Sequence, residues 1–222
     1  MTRQQLQELI TGGESQTVEF KRRFSSPEKI ARELCAFANT EGGYLLLGVD
    51  DDRTIVGVES EKQDVELLTL VCSFYIEPPL DATIWIISVE GKDVVVVYVA
   101  PSPKRPHRVV VPGRRQNPAP VFIRYKDQSV LASREMVRLL AAQRPDAPPV
   151  TLTIGRRERL LFEFLERHGK ITVAEFARLV NISRRRAAQI LVRLTRAGVL
   201  QIHVGNNGDH FTLVSPEAPH GK

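Results

Sequence analysis

One stretch limits the folds open to this 222-residue chain more than any other. Tyr44 to Val49 is apolar nearly throughout, entered through Gly42-Gly43 and left through Asp50, Asp51 and Asp52. A run without polar alternation reads as a strand covered on both faces. The residues ahead of it supply the layers. Thr17 to Lys21 alternates, so Val18 and Phe20 share one face and Thr17, Glu19 and Lys21 the other. Ser26 is placed to cap a helix, and Pro27 suits its first position, where a missing N–H costs nothing. Ile30, Leu34, Phe37 and Ala38 recur at helical spacing and give that helix a buried stripe. It stops at Asn39 to Gly43, where two glycines permit backbone that other residues resist.

Around this strand–helix–strand unit, Thr2 to Thr11 reads as an amphipathic helix with Leu6, Leu9 and Ile10 inward and Gly12-Gly13 ending it. Arg53 to Val58 reads as a short return strand. Glu61 to Ile76 reads as a helix with Val65, Leu68, Cys72 and Tyr75 on one side, stopped by Pro78-Pro79. Ala82 to Val89 and Lys92 to Ala100 form a hairpin turning at Glu90-Gly91, and Val94 to Val99 is its buried strand. Pro101 to Pro120 carries six prolines and five Lys or Arg residues, which rules out a helix or a central strand there. Val121 to Tyr125 resumes a strand, and Ser133 caps a helix running to Gln143. The expected fold is an α+β domain over residues 1–144, a mixed sheet with flanking helices.

Residues 145–154 form a proline-rich linker, the best domain boundary in the chain. Beyond it the pattern becomes helix–helix–helix–hairpin over residues 155–215, with 216–222 as a disordered tail. Leu160, Leu161, Phe164 and Leu165 stripe the first helix, which Gly169 ends. Thr172 and Glu175 match a capping box for the second, where Phe176, Leu179 and Val180 face inward. Asn181-Ile182 turns the chain and Ser183 caps the third helix. There Ala187, Ile190, Leu191 and Leu194 share one face, and Arg185, Arg186, Gln189, Arg193 and Arg196 fall on the other. Val199 to Val204 and His210 to Val214 pair around Gly205 to Gly208. This order resembles the winged helix-turn-helix domain, whose third helix enters a DNA major groove.

Charge is divided unevenly along the chain. Residues 1–100 hold 9 basic and 17 acidic residues, 101–144 hold 10 and 2, and 151–222 hold 12 and 6. Basic charge gathered in the second half suits a polyanionic partner. Cys35 and Cys72 are too few for a disulfide framework, lack metal-ligand spacing, and lie on apolar helix stripes, as core thiols in a reducing compartment do. No signal pattern opens the chain and no apolar run approaches a membrane span, so the expected location is cytoplasmic, with no membrane partner.

Two constellations carry chemistry. Arg184, Arg185 and Arg186 open the third C-terminal helix, where the macrodipole makes cations unfavourable by roughly 0.3–1 kcal/mol each at most. A bound polyanion offsets that cost. Arginine suits guanine, glutamine suits adenine, and the remaining cations suit phosphates. The bland alternative is a solvated basic face. His203 and Asn206 are wing contacts on the same reading. The second constellation is acidic: if Glu19 and Asp50 lie on neighbouring strands, their carboxylates converge near Glu14. Carboxylates so placed repel unless a cation is bound, and a divalent metal there activates water. The bland alternative pairs Glu19 with Lys21 or an arginine and leaves the aspartates in an exposed turn. The excursion residues Lys104, Arg105, His107, Arg108, Arg114 and Arg115 either track a phosphate backbone or form a solvated loop.

Glu14-Ser15, Val18 to Lys21, Ala36 to Thr40 with Gly42-Gly43, Gly48 to Asp51 and Ile55 to Val58 together resemble the Schlafen/AlbA-like domain, found in prokaryotic DNA-binding regulators and in the Schlafen proteins. The likeness continues more weakly through Pro101 to Pro106 and Phe122 to Glu135. Relatives commonly carry a glycine after the strand where Tyr125-Lys126-Asp127 stand here. The resemblance implies that Glu14, Glu19 and Asp50 are the positions of a metal-dependent endoribonuclease set in the Schlafen branch, with Mg or Mn as the metal and Lys21 as a phosphate contact.

No phosphate-cradling Gly-x-x-x-x-Gly-Lys loop is present, so ATP is not expected, and the five histidines lack ligand spacing. The leading expectation is a DNA-binding transcriptional regulator that binds duplex DNA as a homodimer, with Lys21, Arg105, Arg108, Arg184, Arg185, Arg186, Gln189, Arg193 and Arg196 as nucleic-acid contacts. The competing one is the metal-dependent endoribonuclease acting on structured RNA.

Overall fold

The structure is a computed structural model that describes residues 1–114, 117–205 and 208–214. Its first helix, α1 (Arg3–Gly12), starts on a capping box between Thr2 and Gln5 and buries Leu6 and Ile10. It leads to β1 (Val18–Lys21), then α2 (Pro27–Asn39), capped by Ser26 with Pro27 at its start. The apolar run becomes β2 (Gly43–Leu47). Helix α3 (Glu61–Phe74) follows, capped by Ser60. It ends before Ile76, because Ile76 and Glu77 leave the helix as the two-residue strand β3 (Ile76–Glu77). The hairpin β4 (Ala82–Val89) and β5 (Lys92–Val99) lies where the Glu90-Gly91 turn and the β-branched run place it.

Four strands form one sheet in the order β1-β2-β5-β4, with β1 parallel to β2 and the other pairings antiparallel. Strand β2 is therefore paired on both edges and covered on both faces, as its lack of alternation requires. Leu45, Leu47, Val95, Val97 and Val99 face α2 and α3, meeting Ile30, Leu34, Phe37, Leu68 and Val71. Val18, Phe20, Leu46, Val94 and Val96 face α1, meeting Leu6 and Ile10. Each such fully buried side chain stabilises the fold by roughly 1.5–3 kcal/mol. Cys35 and Cys72 are free and buried within the α2–α3 layer. Burial, with Asp81 adding to it, pushes the Cys72 thiol up to about 11.

Three departures from the sequence reading concern short elements. Arg53 to Val58 is a turn rather than a return strand, tied to the sheet by a bridge between Val49 and Ile55 and by the Val58 N–H, which donates to the Asp93 carbonyl of β5. Inside the proline-rich excursion, β6 (Arg108–Val109) pairs antiparallel with β3; both residues keep an N–H, which proline lacks. A second hairpin joins β7 (Phe122–Tyr125) to β8 (Gln128–Leu131), a strand the sequence did not signal. Lys126 holds its turn at φ 58°, a conformation for which glycine is the default.

The chain divides into two compact units, 1–132 and 133–222. The division falls ahead of the proline-rich stretch at 145–154 where sequence placed it. The reason is α4 (Arg134–Ala142), whose apolar side packs on a helix of the second unit instead of closing the first. That unit continues with α5 (Arg156–His168), α6 (Val173–Leu179), α7 (Arg184–Arg196), β9 (Leu200–His203) and β10 (His210–Leu213). Its core gathers Leu161, Leu165, Phe176, Ala187, Ile190, Leu191, Leu194 and Phe211. Leu179, expected inward, is 39% exposed, and Leu160 stands outside this core. Ala188 and Val192 of α7 are buried as well, consistent with α4 packing against that helix. No helix among the described residues is long and apolar enough to cross a membrane.

Gly43 marks the tightest point of the sheet. A Cβ there would lie 2.4 Å from the Phe37 ring and 2.6 Å from the Thr17 carbonyl oxygen. Gly43→Ala is therefore expected to destabilise unit 1 by about 1–3 kcal/mol in urea unfolding. Loss below about 0.5 kcal/mol would show that this contact relaxes freely.

Candidate nucleic-acid interface and the buried acidic cluster

The alternation of β1 sends Glu19 to the α2 side of the sheet, where it is buried. It meets two cations there. Lys21 Nζ bonds its Oε1, and Arg124 Nη1 lies 2.9 Å from its Oε2. The same Nη1 lies 3.2 Å from Glu33 Oε2 of α2, and Arg124 Nη2 donates to the Ser15 carbonyl at 2.7 Å. Ser129 of β8 donates to Glu33. The guanidinium stacks over Phe37 at 4.9 Å, and its Nε has no hydrogen-bond partner among the described residues. Burial pushes the Glu19 carboxyl above its usual range, against the lowering pull of Lys21.

The other two members of the expected acidic trio are engaged elsewhere. Glu14 accepts the Phe20 N–H at 3.0 Å, capping the backbone of its own strand. Asp50 ends β2 in a turn, paired with Arg22 and bonded through Oδ1 to the Asp51 N–H. The carboxylate brought to Glu19 is thus Glu33, and the cation between them is an arginine. Among the described residues no group of three His, Cys, Asp or Glu side chains is disposed to hold a metal ion. This donor set, with both Glu19 oxygens occupied by cations, does not fit the Mg or Mn site that Glu14, Glu19 and Asp50 were expected to make.

Next to this cluster, the polar end of α2 acts as a clamp. Asn39 is buried; its Nδ2 donates to the carbonyls of His107 and Phe122, and its Oδ1 accepts the His107 N–H at 2.7 Å. Thr40 Oγ1 accepts the Arg124 N–H. His107 is 1% exposed, with Nδ1 2.7 Å from the Pro78 carbonyl and Nε2 2.7 Å from Ser102 Oγ. The histidine read as a phosphate contact is a plug that anchors the excursion. Arg105 and Arg108 also spend donors on their own loop, at the Ser102 and Ala119 carbonyls. Arg114 is exposed, and Arg115 lies outside the described residues.

In the second unit, Ser183 caps α7 and Asn181 makes the preceding turn at φ 49°. Arg184, Arg185, Arg186 and Gln189 are exposed, and among the described residues their side chains make no hydrogen bond or ion pair. The other end of the basic face is tied back. Arg193 Nη2 stands 4.0 Å from Glu158, and Arg196 donates to the Pro148 carbonyl at 2.6 Å. The open surface is thus the N-terminal half of the helix. His203 stacks on His210 at 5.1 Å and bonds Thr212, while Asn206 lies outside the described residues.

Sequence reasoning missed Arg124, Glu33 and the role of Asn39. Each left a trace. Glu33 and Asn39 sit within the buried span of α2, and Arg124 shares a strand face with Phe122.

A twisted mixed sheet with helices on both faces, stitched to a second hairpin by a buried arginine, is the class of domain that residues 1–132 define. Residues 14–133 match the Schlafen, AlbA_2 family, and the chain belongs to it. The chain is also similar to two solved structures. One is the N-terminal domain of a RecG-related protein from Nitrosomonas europaea, at 22% identity and a TM-score of 0.42, covering 67% of this chain and 94% of that one. The other is the DIP2311 protein from Corynebacterium diphtheriae, at 19% identity and a TM-score of 0.49, covering 95% of this chain and 38% of that one.

Two outcomes test the cluster. Arg124→Met removes the cation shared by two buried carboxylates, leaving Glu19 with Lys21 and Glu33 with Arg32, and is expected to cost up to roughly 3–5 kcal/mol in denaturant unfolding at neutral pH. The deficit should shrink in acid, where Glu19, pushed upward by burial, takes up a proton; an equal deficit at both pH values would contradict the assignment. Burial holds the His107 pKa below its usual value, so the unfolded chain binds that proton more readily. The stability it contributes is present above the ordinary histidine range and falls as pH drops through the lowered value. His107→Gln should flatten the pH dependence of unit 1 stability in that window, as read by thermal melts.

Proposed function

We propose that this protein is a DNA-binding transcriptional regulator, acting as a homodimer, whose C-terminal unit reads DNA as a winged helix-turn-helix. The observation that carries the reading is the open N-terminal half of α7. Three arginines and a glutamine project there at the positive end of a helix dipole, where a folded domain gains nothing from them. The N-terminal residues of a recognition helix are those that reach base edges. The element order supports the winged-helix reading. After α5, Ile171 is extended and exchanges two backbone hydrogen bonds with Phe211, adding a third strand segment to the β9–β10 hairpin. That hairpin stands as the wing, and α6 and α7 as the helix-turn-helix pair.

Within this reading, Arg184, Arg185 and Arg186 supply phosphate and guanine contacts and Gln189 reads adenine. Arg193 and Arg196 position the helix, through Glu158 and Pro148, rather than meeting DNA first. Membership of a Schlafen, AlbA_2 family, together with the basic second half of the chain, accords with a nucleic-acid partner.

The test is a salt titration of duplex binding. Replacing Arg184, Arg185 and Arg186 by alanine is expected to weaken binding at least tenfold and to reduce the log–log salt slope by roughly 0.9 per lost phosphate contact. Gln189→Ala should alter sequence preference with the slope intact. Unchanged affinity and slope in the triple variant, or a stronger preference for structured RNA than for duplex of equal length, would sink the regulator reading.

A further inference from the structure

We propose that the outer edge of β4 is the surface on which two copies of this chain associate, by antiparallel pairing of β4 with its own copy. This interface rests on the preceding reading only for its purpose, which is to present two α7 helices to one duplex.

The sheet has two edges, and only one is guarded. At the β1 edge the strand has four residues, carries Glu19 and Lys21, and is bridged through Val18 to Ser15. Short, charged edges resist further pairing. Strand β4 is the opposite case. It runs eight residues, about 27 Å at ordinary strand rise. Ala82 to Val89 contains no Lys, Arg, Asp, Glu, Pro or Gly, and its centre reads Ile84, Trp85, Ile86, Ile87. Among the described residues, no backbone group on its outer edge has a backbone partner. Ile86 is left 48% exposed. A neutral edge of this length, uninterrupted by proline or glycine, is a template for another strand.

Charge and symmetry favour a second copy as that strand. Within Ala82 to Val89 there is no charge to select a charged peptide or to repel a duplicate; the acidic Asp81 and Glu90 lie just beyond its two ends. Antiparallel self-pairing places the same edge on both sides of a two-fold axis, so association closes at two subunits and leaves no new edge there. Strand pairing alone buries less than the roughly 1,200 Å² of a stable interface. Helices α1 and α3 both pack on β4, one on each face, and extend the contact across the axis.

The experiment is sedimentation equilibrium of the full chain without nucleic acid, paired with hydrogen exchange across a dilution series. Twice the 24.9 kDa chain mass is expected, with β4 amides that lose protection on dilution. Ile86→Lys, at an exposed position, should give a monomer whose melting temperature no longer depends on concentration and matches that of the wild-type chain at high dilution. A monomeric wild-type chain overturns the proposal, and so does a dimer that survives Ile86→Lys with β4 exchange independent of concentration. A chain that dimerises through β4 yet shows no salt-dependent affinity for duplex DNA keeps this interface and removes the regulator reading instead.

Discussion

A single guanidinium holds the first unit together where its layers meet. Arg124 comes from a hairpin outside the main sheet and reaches the sheet through Glu19, the helical layer through Glu33, and the loop before β1 through the Ser15 carbonyl. Two carboxylates at one site repel, and burial raises the cost of ionising either. With the arginine between them, the repulsion becomes mutual attraction to a shared cation. The cluster therefore fixes the approach of β7 and β8 to α2 more tightly than apolar contact alone, which is non-directional.

The same ion takes up the carboxylate oxygens that a metal at the acidic motif would need. A carboxylate accepts about four hydrogen bonds, and a cation that occupies it competes with any metal for the same lone pairs. Glu19 is spent on Arg124 and Lys21, Glu14 on a backbone N–H, and Asp50 on its turn and Arg22. The chemistry left open lies in the other unit. There the charges of α7 divide along the helix, tied at its C-terminal end and, among the described residues, unpartnered at its N-terminal end. A cation at the positive end of a dipole is stabilised by an external anion, and an unmanaged strand edge by another strand. Both features are costs to an isolated chain and contributions to an assembled one.

Much of the local structure was legible along the chain. Capping residues Ser26, Ser133, Thr172 and Ser183 start the helices they were read to start, and the β4–β5 hairpin lies within a residue of the bounds read from its turn and its β-branched run. These signals are local: a hydroxyl bonds an N–H three residues on, and alternation follows from the pleat. The strand read at Arg53 to Val58 failed because its backbone meets the sheet at separate points, Ile55 at Val49, Val56 and Gly57 at the Gly48 carbonyl and Val58 at the Asp93 carbonyl, which make no continuous ladder. The boundary read from prolines shifted because a packed helix, rather than the stiffest linker, decides where contacts thin out.

From sequence alone came the strand–helix–strand unit, the resemblance carried by its motif, the three helices with their hairpin, and the gathering of arginines on one face of α7. Each depends on spacing, and spacing along a chain converts directly into direction around a helix or across a strand. The tertiary structure decided which charges meet. Arg124 and Glu19 are 105 positions apart, and Asn39 and His107 are 68 apart. Pairings at that separation leave no periodic trace, since they are set by how layers stack and not by how any one element turns.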